Sequence, residues 1–503
     1  MALLNKFFLL LFALSVSGPL QAETLKIGIE SEVKGFDPIK ARVMGVSTLT
    51  VAHALFDTLI TLDEKGEIVP ALATSLKPVN GGAAWVATLR KDVSFHDGAP
   101  FNAEAVVFHF ERLLNPANKC PCRGVLRVLK SVEVVGDYSV KFNLERTWAA
   151  LPALLAEPSV VSLIGSPAVI SSSDHDYHRH PVGTGPFRFK SWEAGHRIIV
   201  ERVNNHWSGI PVSNVDQVEY HVLPDQQTRF AAVRSGVVDL VWTMDAPSVV
   251  KARKQGRFRV VERTGAGARL LILNLKSEHL SDARVRRALA CAVDLDAYAQ
   301  HLYKGLTPKA TDPFGSGGLI QCGDDDYPAY DLEKAKALLK DYGKPVNLTF
   351  THTATPRGRK TAQILQYYWG QAGIDVILEP VSQGALISKM LKRDYEIGAW
   401  RFRDSRDPDA DLFALFHSKS PFNVVSYSSP ELDGLIQQAG AEQDKEARQR
   451  YYCQIADKIA HDLPLLYLAQ NSYFVIARPE VLGDMGLLGG LIDVRNLSLE
   501  KNK

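Results

Sequence analysis

Cysteine is scarce, with five residues in a chain of 503. A small fold stapled by many disulfides is therefore excluded, and no pair has zinc-finger spacing. A surplus of one charge is missing as well. Lys and Arg number 58 against 56 Asp and Glu, a formal net charge of +2. Binding nucleic acid through bulk phosphate neutralisation needs a clear basic excess, so no nucleic-acid partner is expected. No segment holds about 18 consecutive apolar residues, and no membrane-spanning helix is expected. The chain also lacks a Gly-x-Ser-x-Gly elbow, a His-Glu-x-x-His helix and a Walker loop. Low-complexity tracts are absent, and 46% of the residues are hydrophobic. That composition excludes disorder and suffices for more than one core.

What is present begins with an address. Lys6 precedes the apolar run Phe7–Leu14, which Gly18 and Pro19 break, and Leu20-Gln21-Ala22 ends on a small residue. This is the pattern of a secretory signal peptide, residues 1–22, cleaved after Ala22. A periplasmic protein is expected. No Cys follows the cleavage point to carry a lipid.

Leu25, Ile27 and Ile29 then alternate with polar or small residues, as in a strand. Residues 85–90, 139–144, 198–200 and 215–222 read the same way. Ala103–Leu114 is amphipathic, with Asn102 as its N-cap candidate. Ala283–Leu302 reads as one helical run. From Leu332 onward helix and strand alternate: helix 332–342, strand 346–351, helix 359–372, strand 374–379, helix 383–392, strand 395–400. Such alternation predicts a parallel sheet with right-handed crossovers. The expected class is α/β, in two lobes of unlike texture, without a short internal repeat.

Several stretches together resemble the family 5 extracytoplasmic solute-binding proteins, receptors of peptide and nickel ABC importers. They are Leu55–Leu59 with Val69–Ala73, Leu89–Gly98 with Pro100-Phe101, Pro181–Phe187 with Asn205-His206-Trp207, and Asp282–Asp294, all in family order. The resemblance implies a two-lobed periplasmic-binding-protein fold of type II with an extra strand-rich subdomain. Domain I would span 23–268, with the subdomain at about 50–175 and a returning segment at 475–503. Domain II would span 269–474. It also implies a receptor without enzymatic activity or cofactor, a monomer that captures a small peptide and hands it to ABC permease subunits in the inner membrane. The alternative ligand is a nickel or other metal chelate, a haem-like group or another anionic small molecule. Phe95, Gly98, Gly183 and Gly185 read as turn and packing residues.

The sheet itself indicates a site. Ligands of open parallel sheets lie beyond the carboxyl ends of the strands. Strand 346–351 runs into a segment with Arg357 and Arg359, and strand 395–400 runs into Arg401–Asp411. One edge therefore offers guanidinium groups together with Asp404, Asp407, Asp409 and Asp411, a pairing suited to a zwitterion. The resemblance implies that an Asp after Trp400 holds a peptide amine, with Asp407 and Asp409 matching the motif, and that Arg359 or Arg357 holds a carboxylate. Arg401, Arg403 and Arg406 depart from the family pattern. They either neutralise the aspartates as a surface network or mark a more anionic ligand. Trp242 and Met244 either line the cleft or pack in a core. His175, His178 and His180 are candidates for metal or are plain solvated residues; no metal site is assigned. Cys120 and Cys122 either pair or do not, Cys322 is unassigned, and Cys291 and Cys453 read as buried thiols.

Overall fold

The computed structural model describes residues 23–500 apart from 42–44, 64–66, 160, 210–213, 323–325 and 487–489. The expected signal peptide lies outside the described residues. One ten-stranded sheet runs through both halves of the molecule. Its order from one edge is Ile374–Val381, Val346–Thr353, Ile397–Arg401, Arg259–Leu273, Leu465–Ala477, Leu240–Thr243, Thr24–Ile29, Gln217–Val222, Arg197–Arg202 and Phe187–Glu193. The first three pair in parallel, as their alternation with helices requires. Alternation in the first strand places Leu25, Ile27 and Ile29 in the core.

The apolar residues gather into separate cores. One is built from residues 268 to 469. A second uses residues 59 to 164, around the four-stranded sheet Ala73–Val79, Ala84–Leu89, Ser139–Leu144, Leu129–Gly136. The helix Ala103–Leu114 covers it, started by Asn102, whose Oδ1 accepts from Ala105 N–H at 3.0 Å. The third core joins the first strand to residues 473 to 497 near the chain's end. Phe95 is buried in the second core, and a Cβ on Gly183 would lie 2.2 Å from the Leu55 carbonyl oxygen. Both signature positions serve packing.

Two expectations change. The run 283–302 divides into Ala283–Cys291 and Leu295–Tyr303, because Asp294 caps the second helix by accepting from Ala297 N–H at 2.9 Å. Cys453 is not a thiol. It is bonded to Cys322, 131 residues earlier, whereas Cys291 stays a buried free thiol. Cys120 and Cys122 form the other disulfide. Among the described residues no helix is long and apolar enough to cross a membrane.

The Cys322–Cys453 bond closes a long loop of the unfolded chain, so Cys453→Ser should lower unfolding free energy by roughly 2–5 kcal/mol. Denaturant titration of the oxidised protein checks this. An unchanged midpoint would show that the bond carries no stability.

Candidate functional site

Two strands, Arg259–Leu273 and Leu465–Ala477, pair along nearly their whole length and link the two halves. Their register shifts between Thr264 and Ala268. Gly265 and Gly267 fall in this interruption and leave the backbone bare. A Cβ on Gly265 would meet Asp404 Oδ1 at 2.0 Å, and one on Gly267 would meet the Arg403 carbonyl oxygen at 2.5 Å. The loop after strand Ile397–Arg401 therefore lies directly on the crossing. Asp404 accepts there from Gly267 N–H at 3.0 Å and from Asn471 Nδ2 at 3.1 Å. Burial outweighs these bonds and pushes its carboxyl up to about 6.

Cations gather around it. Arg269 and Arg401 are direct cross-strand partners. Arg357 stands in the first turn of the helix Pro356–Ala372, which Thr355 caps and which has no acidic residue in that turn. Arg357 Nη2 donates to the Met244 carbonyl at 2.9 Å, reaching from one half of the molecule to the other. Arg269 Nη2 and Arg357 Nη1 also approach the Met244 sulfur, at 3.4 and 3.9 Å. Burial first, and Arg269 next, hold both Arg357 and Arg401 below the ordinary guanidinium value. Arg401 is nonetheless open to solvent, so it lies on the wall of a cleft and not inside a core. Glu30, at the carboxyl end of the first strand, faces the same cations. Burial raises its carboxyl although Arg229, Arg357, Arg401 and Arg269 all oppose the rise.

The other aspartates of the loop have protein partners. Asp407 takes Arg448 at 2.5 and 3.1 Å and the Tyr452 hydroxyl at 3.0 Å. Asp409 is buried between Arg127 at 2.5 Å and Trp148 Nε1 at 2.9 Å, both from the strand-rich core. Asp411 takes Arg403 at 2.7 Å, and that carboxylate raises the Arg403 guanidinium. Arg359 is exposed and donates to Ala354 O at 3.1 Å in its own helix start. Trp400 is half-buried against the large core. Trp242 is core, beside Tyr473, with an Nε1 that has no partner. The structure thus brings together Asp404, Arg357 and Arg401, and adds Arg269 and Glu30. Sequence reasoning missed Glu30 although it ends a strand at the productive sheet edge. Arg269 gave no signal, being a strand residue among apolar neighbours.

A second contact ties the same loop to the strand-rich core. Glu157 accepts from the Arg406 backbone N–H and from Ser405 Oγ at 3.1 Å. Enclosure is the largest effect on its carboxyl and pushes it up to about 7. Asp407 adds to the rise, and Arg403 and the two donors oppose it. Among the described residues no group of His, Cys, Asp and Glu could hold a metal. In the 175–180 loop His175 Nε2 meets His180 O at 2.7 Å.

With this geometry in place, the class is a two-lobed binding protein. Residues 67–423 match the family model "Bacterial extracellular solute-binding proteins, family 5 Middle". The chain belongs to that family, whose members bind solutes for transport and do not catalyse reactions. It is 27% identical to the glutathione-binding protein GsiB of Pectobacterium atrosepticum, over 89% of this chain and 88% of that one. It is 27% identical to the dipeptide-binding protein of Escherichia coli, over 98% of each. Helicobacter pylori DppA, solved with the peptide STSA, superposes with a TM-score of 0.82 at 27% identity, over 95% of this chain and 98% of that one.

Removing Asp407 leaves the Arg448 cation enclosed and unpaired, so Asp407→Ala should cost roughly 3–5 kcal/mol of stability. Denaturation of the unliganded protein measures it; an unchanged stability would place the pair at no structural importance. For Glu157 the sign follows from linkage. Its carboxyl is raised here, where the loop covers it, and an opening that exposed it to water would remove the cause of the rise. The covered state thus binds the extra proton and is penalised as pH rises from the ordinary carboxylate range to about 7, and the penalty is constant above that. If ligand binding covers Glu157, affinity should therefore fall from about pH 5 to about pH 7 and level off above it, and Glu157→Gln should flatten that fall in calorimetric titrations. An identical pH profile in the variant would exclude Glu157 as the source.

Proposed function

We propose that the chain is the periplasmic receptor of an ABC importer and captures a small peptide between its lobes. The observation that carries this reading is one cleft holding an accessible set of guanidinium groups beside Asp404. A free amine needs a carboxylate acceptor, and a free carboxylate is held best by Arg. Asp404, with Glu30, receives the peptide amine. Arg357 receives the terminal carboxylate, aided by the positive end of its helix. Trp400 flanks the ligand, while Asp407, Asp409, Arg403 and Arg359 hold or border the loops. The separation of the apolar cores supports lobes of 23–268 with 475–503, and 269–474. The signal peptide 1–22 sends the chain across the inner membrane, where the monomer delivers its ligand to the permease. Peptide names among the relatives support this ligand class.

The second reading is an anionic metal chelate or tetrapyrrole, and the excess of guanidinium groups favours it. A paired titration decides. A short peptide with a free C-terminus should bind, and its amide should bind more weakly. Arg357→Ala should cost about 2–5 kcal/mol of binding free energy. Equal affinity for acid and amide would remove the carboxylate reading, and a chelate that binds where no peptide does would replace it.

A further inference from the structure

Arg269 and Arg401 stand directly opposite each other in an antiparallel ladder. Like charges at such positions repel and destabilise the pair. Arg357 adds a third cation at the positive end of a helix, where anions are favoured and a cation is not. None of the three forms an ion pair among the described residues. The Arg269 Nε is buried and has no partner. Two of the three guanidinium groups converge on the Met244 sulfur, a weak acceptor that satisfies neither. The carboxylates that act on these cations are Glu30, Asp404, Asp245 and Asp411. Asp245 accepts from Ser248 N–H and Oγ at the start of its own helix, Asp411 pairs with Arg403, and Asp404 accepts from Gly267 and Asn471.

One terminal carboxylate on Arg357 leaves the Arg269–Arg401 pair without an anion. We infer that the cleft is built for a ligand with two carboxylates, one taken by Arg357 and the second by Arg269 and Arg401 together. In peptide terms this is a short peptide with an acidic side chain or a second free carboxyl group. The inference rests on the reading of this cleft as the ligand site. It makes Arg269 and Arg401 specificity determinants. Their mutual repulsion is relieved only when the second carboxylate enters between them, so the site discriminates against monoanions by leaving two cations facing each other.

Calorimetric titration of the mature protein with Ala-Glu and Ala-Gln tests it, since the two differ in one carboxylate. Ala-Glu should bind roughly 10- to 100-fold more tightly, the worth of a charged hydrogen-bonded contact. Arg401→Met should shrink the ratio to about threefold or less. Equal affinities in the parent protein overturn the inference. Should neither peptide bind, the peptide reading fails, and glutarate against its monoamide then decides the charge question. A preference for glutarate that Arg401→Met abolishes supports two carboxylates; equal binding, or none, overturns them. A measurement without ligand is independent of both. Relief of the repulsion should raise the unliganded melting temperature of Arg401→Met by about 1–3 °C, and a fall overturns the argument. Arg269→Met serves in place of a variant that does not fold.

Discussion

Two strands shared by both halves of one sheet set the terms for the rest of the structure. Because Arg259–Leu273 and Leu465–Ala477 remain paired on either side of Thr264–Ala268, the interruption between them is confined to a few residues. Its glycines leave room for the loop 402–404 to rest on bare backbone. That contact fixes Asp404 beside the crossing, and the ladder fixes Arg401 opposite Arg269. Met244 and Glu30 come from the other half and close the set. The site is thus a consequence of where the sheet crosses from one core to the next. A hinge at a few residues of paired strands is also a common means of closing two lobes over a ligand.

Charge separates the groups that hold the protein together from those held ready for something else. Asp407 with Arg448, and Asp409 with Arg127 and Trp148, are complete on their own. A buried pair of this kind contributes little beyond its own desolvation, yet it is costly to break. Arg269, Arg357 and Arg401 are the opposite case: they line one cleft without an ion pair among the described residues, and Arg269 and Arg357 meet the Met244 thioether, with the Met244 carbonyl on Arg357. Leaving cations in that condition is unfavourable unless an anion arrives from outside. In the proposed receptor that excess is affinity held in reserve for an anionic ligand. Glu157 and Asp409 join the loop to the strand-rich core, so the loop that follows Arg401 is held from both sides.

Much of the fold was legible in the sequence because it rests on local chemistry. The Asn102 cap and the alternation from Leu332 onward each depend on neighbours within a few residues. The sheet edge that carries the site follows from that alternation. Long-range partners were not legible. Four aspartates crowd residues 404–411, and nothing nearby shows that Asp407 meets Arg448, 41 residues on, or that Asp409 meets Arg127. Of that crowd, Asp404 alone lies on the crossing. Arg359 is the first match to the carboxylate-holding position and Arg357 the second, but the helix phase turns Arg357 toward Met244 while Arg359 stays at the surface. Cys453 reads as a buried helix residue until folding brings Cys322 beside it.

In the proposed receptor the crossing of the two lobes forms a cationic cleft suited to an anion-bearing solute. Native mass spectrometry of the protein purified from its own periplasm, followed by release and identification of whatever it retains, tests that most directly. A cationic cleft of this kind should retain a species with at least one carboxylate, in one copy per chain. A retained solute that is neutral or purely cationic would contradict it.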